Sequence, residues 1–441
     1  MKNRNYKTLV FILLLIGSLC VVGGTIAYYT SSDTFTNEFN TGTYVIQTQE
    51  NFESPDDWTP GTTTPKTVIA TNKGTTPAAV RVKLTPIWVD SDGITTLPLT
   101  DGINEAAIIN FSTNSNTMWT KEDDWYYYVM PINKNESTTS LLKSVTFNPN
   151  VNISATHDCV EDQTTHATTC TTETTGYSEA TYKLQVDIET CQYDKYQEIW
   201  GTSVNIGEPN AAQKLLASGE LVDIHDANRF IGGDPKNYVT FNDETWRILG
   251  VYDGKLKLIN MNNPISNQII NNSNNIYPTW YETRLKETLN ITYYESLSSD
   301  AKEMISDDGL WYIGSANYGN TAINAYNFAK QRIDSDKVGL IATYEYLYTP
   351  SIDSCYEISG YNYGYSNGCG NPQNNWLVSN VTYWTLTPHH SENRVNYVAS
   401  SGNIYDENTN IVHAVYPVIY LKPTVKILSG TGEVGSNYIL G

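Results

Sequence analysis

Apolar and polar residues alternate with a period of two along two stretches of the chain. In residues 79–84, Val80, Val82 and Leu84 fall on one side and Arg81 and Lys83 on the other. In residues 182–189, Tyr182, Leu184, Val186 and Ile188 oppose Lys183, Gln185, Asp187 and Glu189. Successive side chains of a strand point to opposite faces, so the pattern predicts sheet strands with one buried and one wetted face. Pro60-Gly61, Asn72-Lys73-Gly74 and Ser91-Asp92-Gly93 supply turn residues between such runs. Residues 28–206 are therefore expected to form a β-sandwich. Continuing the alternation puts Cys191 on the wetted face, where it is expected to be available to another thiol.

The pattern changes after residue 206. Residues 210–216 predict a short capped helix within a linker, residues 207–226. A second unit, residues 227–441, opens with a hairpin: residues 245–251 and 255–259 flank Asp253-Gly254, a tight-turn signature. Tyr281, Leu285 and Leu289, spaced by four after Pro278-Thr279, predict a helix, as do residues 322–333. Short strands are predicted at residues 338–343, 383–386, 395–399 and 414–421. The expected fold class is mainly β, a sandwich followed by an α+β unit, with no repeat between the halves.

The first residues set the compartment. Lys2, Arg4 and Lys7 precede a continuous apolar run over residues 9–16, and Gly23, Gly24, Thr25 and Ala27 are small. Thr25-Ile26-Ala27 fits the small-x-small pattern of a signal peptide, with cleavage between Ala27 and Tyr28. Residues 8–27 are also long enough to span a bilayer, so an uncleaved anchor is the alternative. Both place the remainder outside the membrane, and no later stretch is apolar enough to span it. Cleavage would leave a β-prone tail carrying Tyr28, Tyr29, Phe35 and Phe39, with no hairpin partner nearby. Such a tail either pairs with an exposed sheet edge of another copy or forms the first strand of its own domain.

Composition narrows the partners. The chain has 441 residues, of which 40% are hydrophobic and only 17% charged, and it contains 33 Tyr. The formal net charge of −20 repels phosphate backbones, so nucleic acid is excluded as a partner. Of six cysteines, Cys20 lies in the signal segment. Cys159 with Cys170 and Cys355 with Cys369 are the simplest disulfides for an oxidising exterior, which leaves Cys191 over. No CxxC pair or Cys/His cluster has metal-ligand spacing, so no metal and no cofactor is expected.

Catalysis finds little support. No GxSxG elbow, HExxH helix or phosphate-binding glycine loop is present. His389-His390, beside Glu392 and Arg394, is the most reactive-looking cluster, but its ordinary reading is a set of surface residues near a strand end. No catalytic residue is assigned, and the chain is not expected to be an enzyme. The segment between Cys355 and Cys369 is better suited to binding. Tyr361, Tyr363 and Tyr365 stand there among Gly, Ser and Asn, a mixture that gives flat contact area and adaptable hydrogen bonds. These tyrosines, with His389 and Arg394, are the candidate ligand contacts, for a glycan or a surface protein. The alternative is a hairpin that packs its own tyrosines.

Two resemblances extend this reading. The run Gly23-Gly24-Thr25-Ile26-Ala27, the FTNEFNTG of residues 35–42, the TNKGTTPAAVRVKL of residues 71–84, the WYYYVM of residues 125–130 and the IETCQYDKYQEIWG of residues 188–201 occur in order. This set, over about 180 residues, resembles the TasA/camelysin-type secreted matrix proteins and their biofilm-pilin-like (BsaA-type) relatives. It implies a jelly-roll-like sandwich, a dedicated signal peptidase, and self-association into extracellular fibres by donation of the freed N-terminal segment. The insert carrying Cys159 and Cys170 departs from that pattern. Residues 238–251 (YVTFNDETWRILGV), 375–377 (NWL), 383–388 (YWTLTP) and 414–422 (AVYPVIYLK) are similar to a C-type-lectin-like surface module, over about 200 residues. That resemblance implies ligand binding by loops on a rigid base. Lectin calcium triplets have no counterpart, Asn371-Pro372-Gln373 being the nearest, and no metal site is assigned. The expected function is a biofilm matrix or fibre subunit displaying a binding module. The alternatives are a membrane-anchored monomeric adhesin and a secreted polysaccharide-acting enzyme.

Overall fold

Among the described residues, eleven strands build the first module: β1 (Ile46–Phe52), β2 (Thr63–Asn72), β3 (Ala78–Val89), β4 (Thr96–Leu97), β5 (Ala107–Phe111), β6 (Trp119–Glu122), β7 (Trp125–Tyr128), β8 (Leu142–Phe147), β9 (Ile153–Glu161), β10 (Thr168–Gly176) and β11 (Thr181–Gln192). The structure, a computed structural model, describes residues 43, 45–55, 57–151, 153–161, 168–271, 280, 283–366, 368–389 and 393–441. The residues expected at the cleavage site and in the donor strand (Ala27, Tyr28, Tyr29, Phe35 and Phe39) lie outside the described residues, as do His390 and Glu392.

The strands form one sheet in the order β1-β2-β8-β5 and another in the order β11-β3-β7-β6, with β4 beside β3. Ala70 of the first sheet shares a core with Val80, Val82, Trp119 and Tyr128 of the second, so the sheets pack face to face. The alternation seen in the sequence sets this arrangement, since Leu84, Val186 and Ile188 point into the same core. Strands β9 and β10 pair with each other, and Cys159 stands opposite Cys170 in that hairpin.

The outer face of the second sheet differs from the sequence expectation. Residues 193–206 fold back over it, and Tyr196, Val204 and Ile206 cover Ala79. The Tyr196 hydroxyl donates to the Val204 carbonyl at 3.0 Å and accepts from the Ile206 amide at 2.8 Å. Arg81 lies between the rings of Trp125 and Trp200, at 4.1 and 4.7 Å from their centroids. Cys191 is covered with it. Burial pushes its thiol up to about 11, so it is held protonated and is a poor nucleophile. Cys191 is unpaired, as expected, but stands half-buried under this cover and not on a wetted face.

The second module is built on a mixed sheet. Its main path runs Val338–Gly339, Val418–Tyr420, Lys255–Ile259, Glu244–Tyr252, Tyr238–Phe241, Tyr438–Leu440 and Ile427–Ser429. The Asp253-Gly254 hairpin forms as expected: Tyr252 pairs with Lys255, and both turn residues have positive φ, 48° and 72°. A second sheet of five strands ends in the hairpin of Arg394–Val398 and Ile404–Asn408. Leu285 and Leu289 are buried as their spacing predicts, and the helix runs without a gap through Arg284–Glu287, a π-helical stretch Thr288–Tyr293, and Tyr294–Ser296. The next helix stops at Ala329, whose carbonyl is taken by the Gly314 amide, and Ile333 already belongs to a strand. The strand expected at residues 338–343 is only Val338–Gly339, and Thr343 opens a helix, Thr343–Leu347.

The segment between the modules is ordered and tied to both. Asn210 caps the helix Ala211–Ser218 in a capping box with Gln213. Ala211, Ala212 and Leu215 enter the core of the second module, while Leu216 and Ala217 touch the sandwich core. Alongside, Asn114 adopts a left-handed conformation, φ 57°, and donates to Asn228 Oδ1 at 2.7 Å. Its own Oδ1 accepts from the Gly254 amide at 3.1 Å. A Cβ on Gly254 would lie 2.9 Å from Thr117 Oγ1, so glycine serves both the turn and this close approach. Asn114→Ala is expected to leave the Gly254 amide and Asn228 amide side chain without these partners. The predicted loss is about 1–3 kcal/mol of inter-module stability, read as faster proteolysis between the modules or an earlier urea transition.

Candidate functional site

Two places combine open space with convergent side chains. The first is a groove of about 1010 Å³ between the sheets of the sandwich. Trp58, Trp88, Phe147, Tyr177 and Tyr182 form one aromatic cluster along it, with Trp58 5.0 Å from Phe147 and Trp88 4.8 Å from Tyr177 between centroids. At its rim Lys66 pairs with Glu50 and lies 4.6 Å over the Phe52 ring. Among the described residues β1 pairs only with β2, and β11 only with β3, so each sheet offers an open edge near the groove. Residues 47–52 of β1 are exposed.

The second is a cavity of about 360 Å³ where the modules meet, lined by Asn116 of the sandwich and by Asp226, Tyr252, Lys255, Tyr312 and Tyr420. Beneath it lies a buried charged cluster. Lys257 donates to both oxygens of Glu345, at 2.7 and 2.9 Å, and Arg229 stands 3.7 Å from the same carboxylate. Glu345 also accepts from the Ala342 amide at 2.8 Å, which fixes it in the first turn of its helix. Lys257 lies 5.0 Å from the Tyr252 and Tyr420 centroids, and Arg229 4.7 Å from that of Tyr252. Burial pushes the Lys257 ammonium down, and Glu345 opposes that. Burial raises the hydroxyls of Tyr252, Tyr312 and Tyr420, so they stay protonated. Tyr312 donates to Asp226 at 2.5 Å.

The residues singled out in the sequence lie elsewhere in the module and only partly together. Both expected disulfides form, and Cys355 and Cys369 are fully buried. With the predominance of strands, they fit a chain folded in an oxidising compartment; among the described residues, no helix is long and apolar enough to cross a membrane. Tyr361 and Tyr365 are exposed, and the Tyr361 ring meets Tyr318 and Tyr405 at 5.9 and 5.5 Å. Tyr363 differs: it is fully buried and its hydroxyl donates to the Leu347 carbonyl at 2.6 Å, so it supports the loop instead of facing a ligand. His389 is buried behind Tyr318, not a surface residue as its polar surroundings suggested. Arg394 is engaged with Asp406, donating to its carbonyl at 2.7 Å and pairing with its carboxylate at 2.8 Å.

The sequence reading missed Asp226, Arg229, Lys257 and Glu345. The available signal was Lys255 and Lys257 alternating with Leu256 and Leu258 beside a predicted turn, in a strand that is buried on both faces. No protein-family profile, no curated protein and no solved structure matches the chain.

Proposed function

We propose that the chain is an extracellular fibre subunit. It is exported on residues 1–27, and its freed N-terminal segment pairs with the sandwich of the next copy. The second module is carried outward as a binding module. The observation that carries this reading is the aromatic groove beside the open edge of β1. Unpaired edge amides and carbonyls take up an extended segment by main-chain hydrogen bonds, and pockets for alternate side chains select it. Residues 28–42 bring Tyr28, Tyr29, Phe35 and Phe39 to a groove walled by Trp58, Trp88 and Phe147. A buried apolar ring contributes roughly 1.5–3 kcal/mol, so several of them, added to the main-chain hydrogen bonds, offset the cost of association.

The test is electron microscopy of the mature protein starting at Tyr28, beside a version lacking residues 28–39. Filaments in the first and none in the second are expected, with unchanged circular dichroism showing that both fold. Filaments in both would remove the donor role of the segment. A monomer in the first under all conditions would leave the anchored adhesin as the better account.

A further inference from the structure

We propose that the two ends of the sandwich are complementary docking surfaces, so that one end of each copy seats on the opposite end of the next. The inference rests on reading the chain as a self-assembling subunit, and adds a contact that residues 28–42 do not supply.

One end is acidic and carries two apolar tips. The turn after β3 and the loop after β4 both lie there, against residues 148–151 and 177–181. Each is closed by an aspartate. Asp92 Oδ1 accepts from the Ile94 and Thr95 amides at 2.8 and 2.7 Å, and Asp101 Oδ1 from the Ile103 and Asn104 amides at 2.9 and 2.7 Å. The closed turns hold Ile94 and Ile103 outward, at 85% and 91% exposure, the highest of the large apolar side chains among the described residues. Such exposure on an ordered turn marks a contact surface. Asp90, Asp92, Asp101, Glu105 and Glu179 share this end, and no Lys or Arg stands in residues 90–106, 148–151 or 176–181.

The other end differs in charge. β3 runs from Ala78 to Val89, so its start lies roughly 35–40 Å away at about 3.3 Å per residue. There the Lys73 amide donates to the Val45 carbonyl at 2.7 Å, and the Asn135 amide to that of Asn72 at 2.6 Å. Val45 is half exposed, and Lys73 and Lys134 are exposed beside it. Among the described residues neither lysine forms an ion pair. Glu136 is turned onto Asn133, whose amide and side-chain amide donate to it at 2.8 and 2.9 Å. Lys195, also at this end, pairs with Glu198 at 3.4 Å, and Asp194 is the remaining carboxylate. The sum is neutral, with two unpaired ammonium groups next to Val45.

Two acidic ends repel each other, and two lysine ends offer few carboxylates in return. The contact therefore joins unlike ends and is heterologous. The partner is a second copy because of where the chain enters and where the groove opens. Residues 28–42 join the body at Val45, while Thr59, Pro60, Tyr177 and Glu179 line the aromatic groove at the acidic end. A segment reaching that groove brings its own Val45 end against Ile94 and Ile103 of the copy it enters. The tips then pack on Val45 and on the apolar stems of Lys73 and Lys134, whose ammonium groups face the carboxylates. Both turns are ordered before contact, so docking them costs little conformational entropy.

The experiment treats mature protein starting at Tyr28 with a carbodiimide, which joins an ammonium directly to a touching carboxylate, and maps the links by mass spectrometry. Links from Lys73 or Lys134 to Asp90, Asp92, Asp101, Glu105 or Glu179 are expected. The two ends are too far apart within one copy, so each such link joins two copies. Its yield should fall severalfold in Ile94→Ser with Ile103→Ser, and between about 0.05 and 0.5 M salt. Charge reversal reads the same contact by sedimentation. Lys73→Glu with Lys134→Glu, and Glu105→Lys with Glu179→Lys, should each associate roughly tenfold or more weakly than the parent. A mixture of the two variants should form pairs and stop there. All six side chains are exposed, so their replacement does not threaten the fold, and circular dichroism checks it. Filaments without these links would sink this inference alone; links without filaments would sink the fibre reading alone. Binding to phosphatidylcholine vesicles with no link between copies would assign the isoleucines to a lipid surface and overturn the proposal.

Discussion

Glu345→Ala is expected to cost the second module about 3–5 kcal/mol, a large share of the stability of a typical domain. Lys257 and Glu345 side chains are 3% and 1% exposed, so neither ion can turn to water when its partner is removed. Truncation leaves the Lys257 ammonium and the Arg229 guanidinium facing each other among Tyr252, Tyr344 and Tyr420. It also frees the Ala342 amide that Glu345 accepts from, which loosens the start of the helix Thr343–Leu347. A compensated pair behaves differently. Lys257→Met with Glu345→Leu removes both ions and refills the volume, and should recover most of the loss, because a buried pair is worth little against a well-packed apolar replacement. Recovery should stop short of parity, since among the described residues Arg229 then keeps Asp226, at 3.9 Å, as its one carboxylate partner. Urea unfolding read by near-UV circular dichroism resolves the case, provided the transitions of the two modules are fitted separately. Equal stability of Glu345→Ala and the parent would mean that water already reaches the cluster.

The same residues show what the sequence could carry. Period-two alternation located β3 and β11 and named the faces correctly, because a strand's own side chains determine which residues share a side. It could not say what covers the polar side. Over Arg81 and Cys191 the cover is residues 193–206; over Lys257 it is Glu345, eighty-eight positions away in sequence and brought in by a helix. Polar residues on such a face look wetted until the covering segment is placed. The Asp253-Gly254 turn was legible because its positive φ values are a local demand. The disulfides followed from spacing. The π-helical stretch Thr288–Tyr293 and the short strand at Val338 meet in a contact that local pattern does not reveal: the Asn290 side chain donates to the Val338 carbonyl at 2.8 Å and accepts from its amide at 3.0 Å. The tyrosines between Cys355 and Cys369 read alike in sequence, yet packing sends Tyr363 inward and leaves Tyr361 and Tyr365 out.

Replacing Cys355 and Cys369 by alanine is expected to destabilise the second module by about 3 kcal/mol, the loop-closure value for a bond spanning 14 positions. The bond lies in the module's core, beside Tyr363, so the native loop stays ordered while the unfolded chain gains the freedom the bond denied it. The paired replacement of Cys159 and Cys170 is the informative contrast. Its span of 11 positions gives a similar closure term, because that term grows only with the logarithm of length. Yet β9 and β10 pair with no other strand among the described residues, and both cysteines are exposed. Without its bond the hairpin can fray in the native state as well as in the unfolded one. The entropy gained by the two states then largely cancels, and the main transition should hardly move. Hydrogen exchange should find fast amides in β9 and β10 alone. Equal losses from the two replacements would mean that the hairpin folds as one unit with the sandwich, and its contacts with a neighbouring copy would become the next place to look.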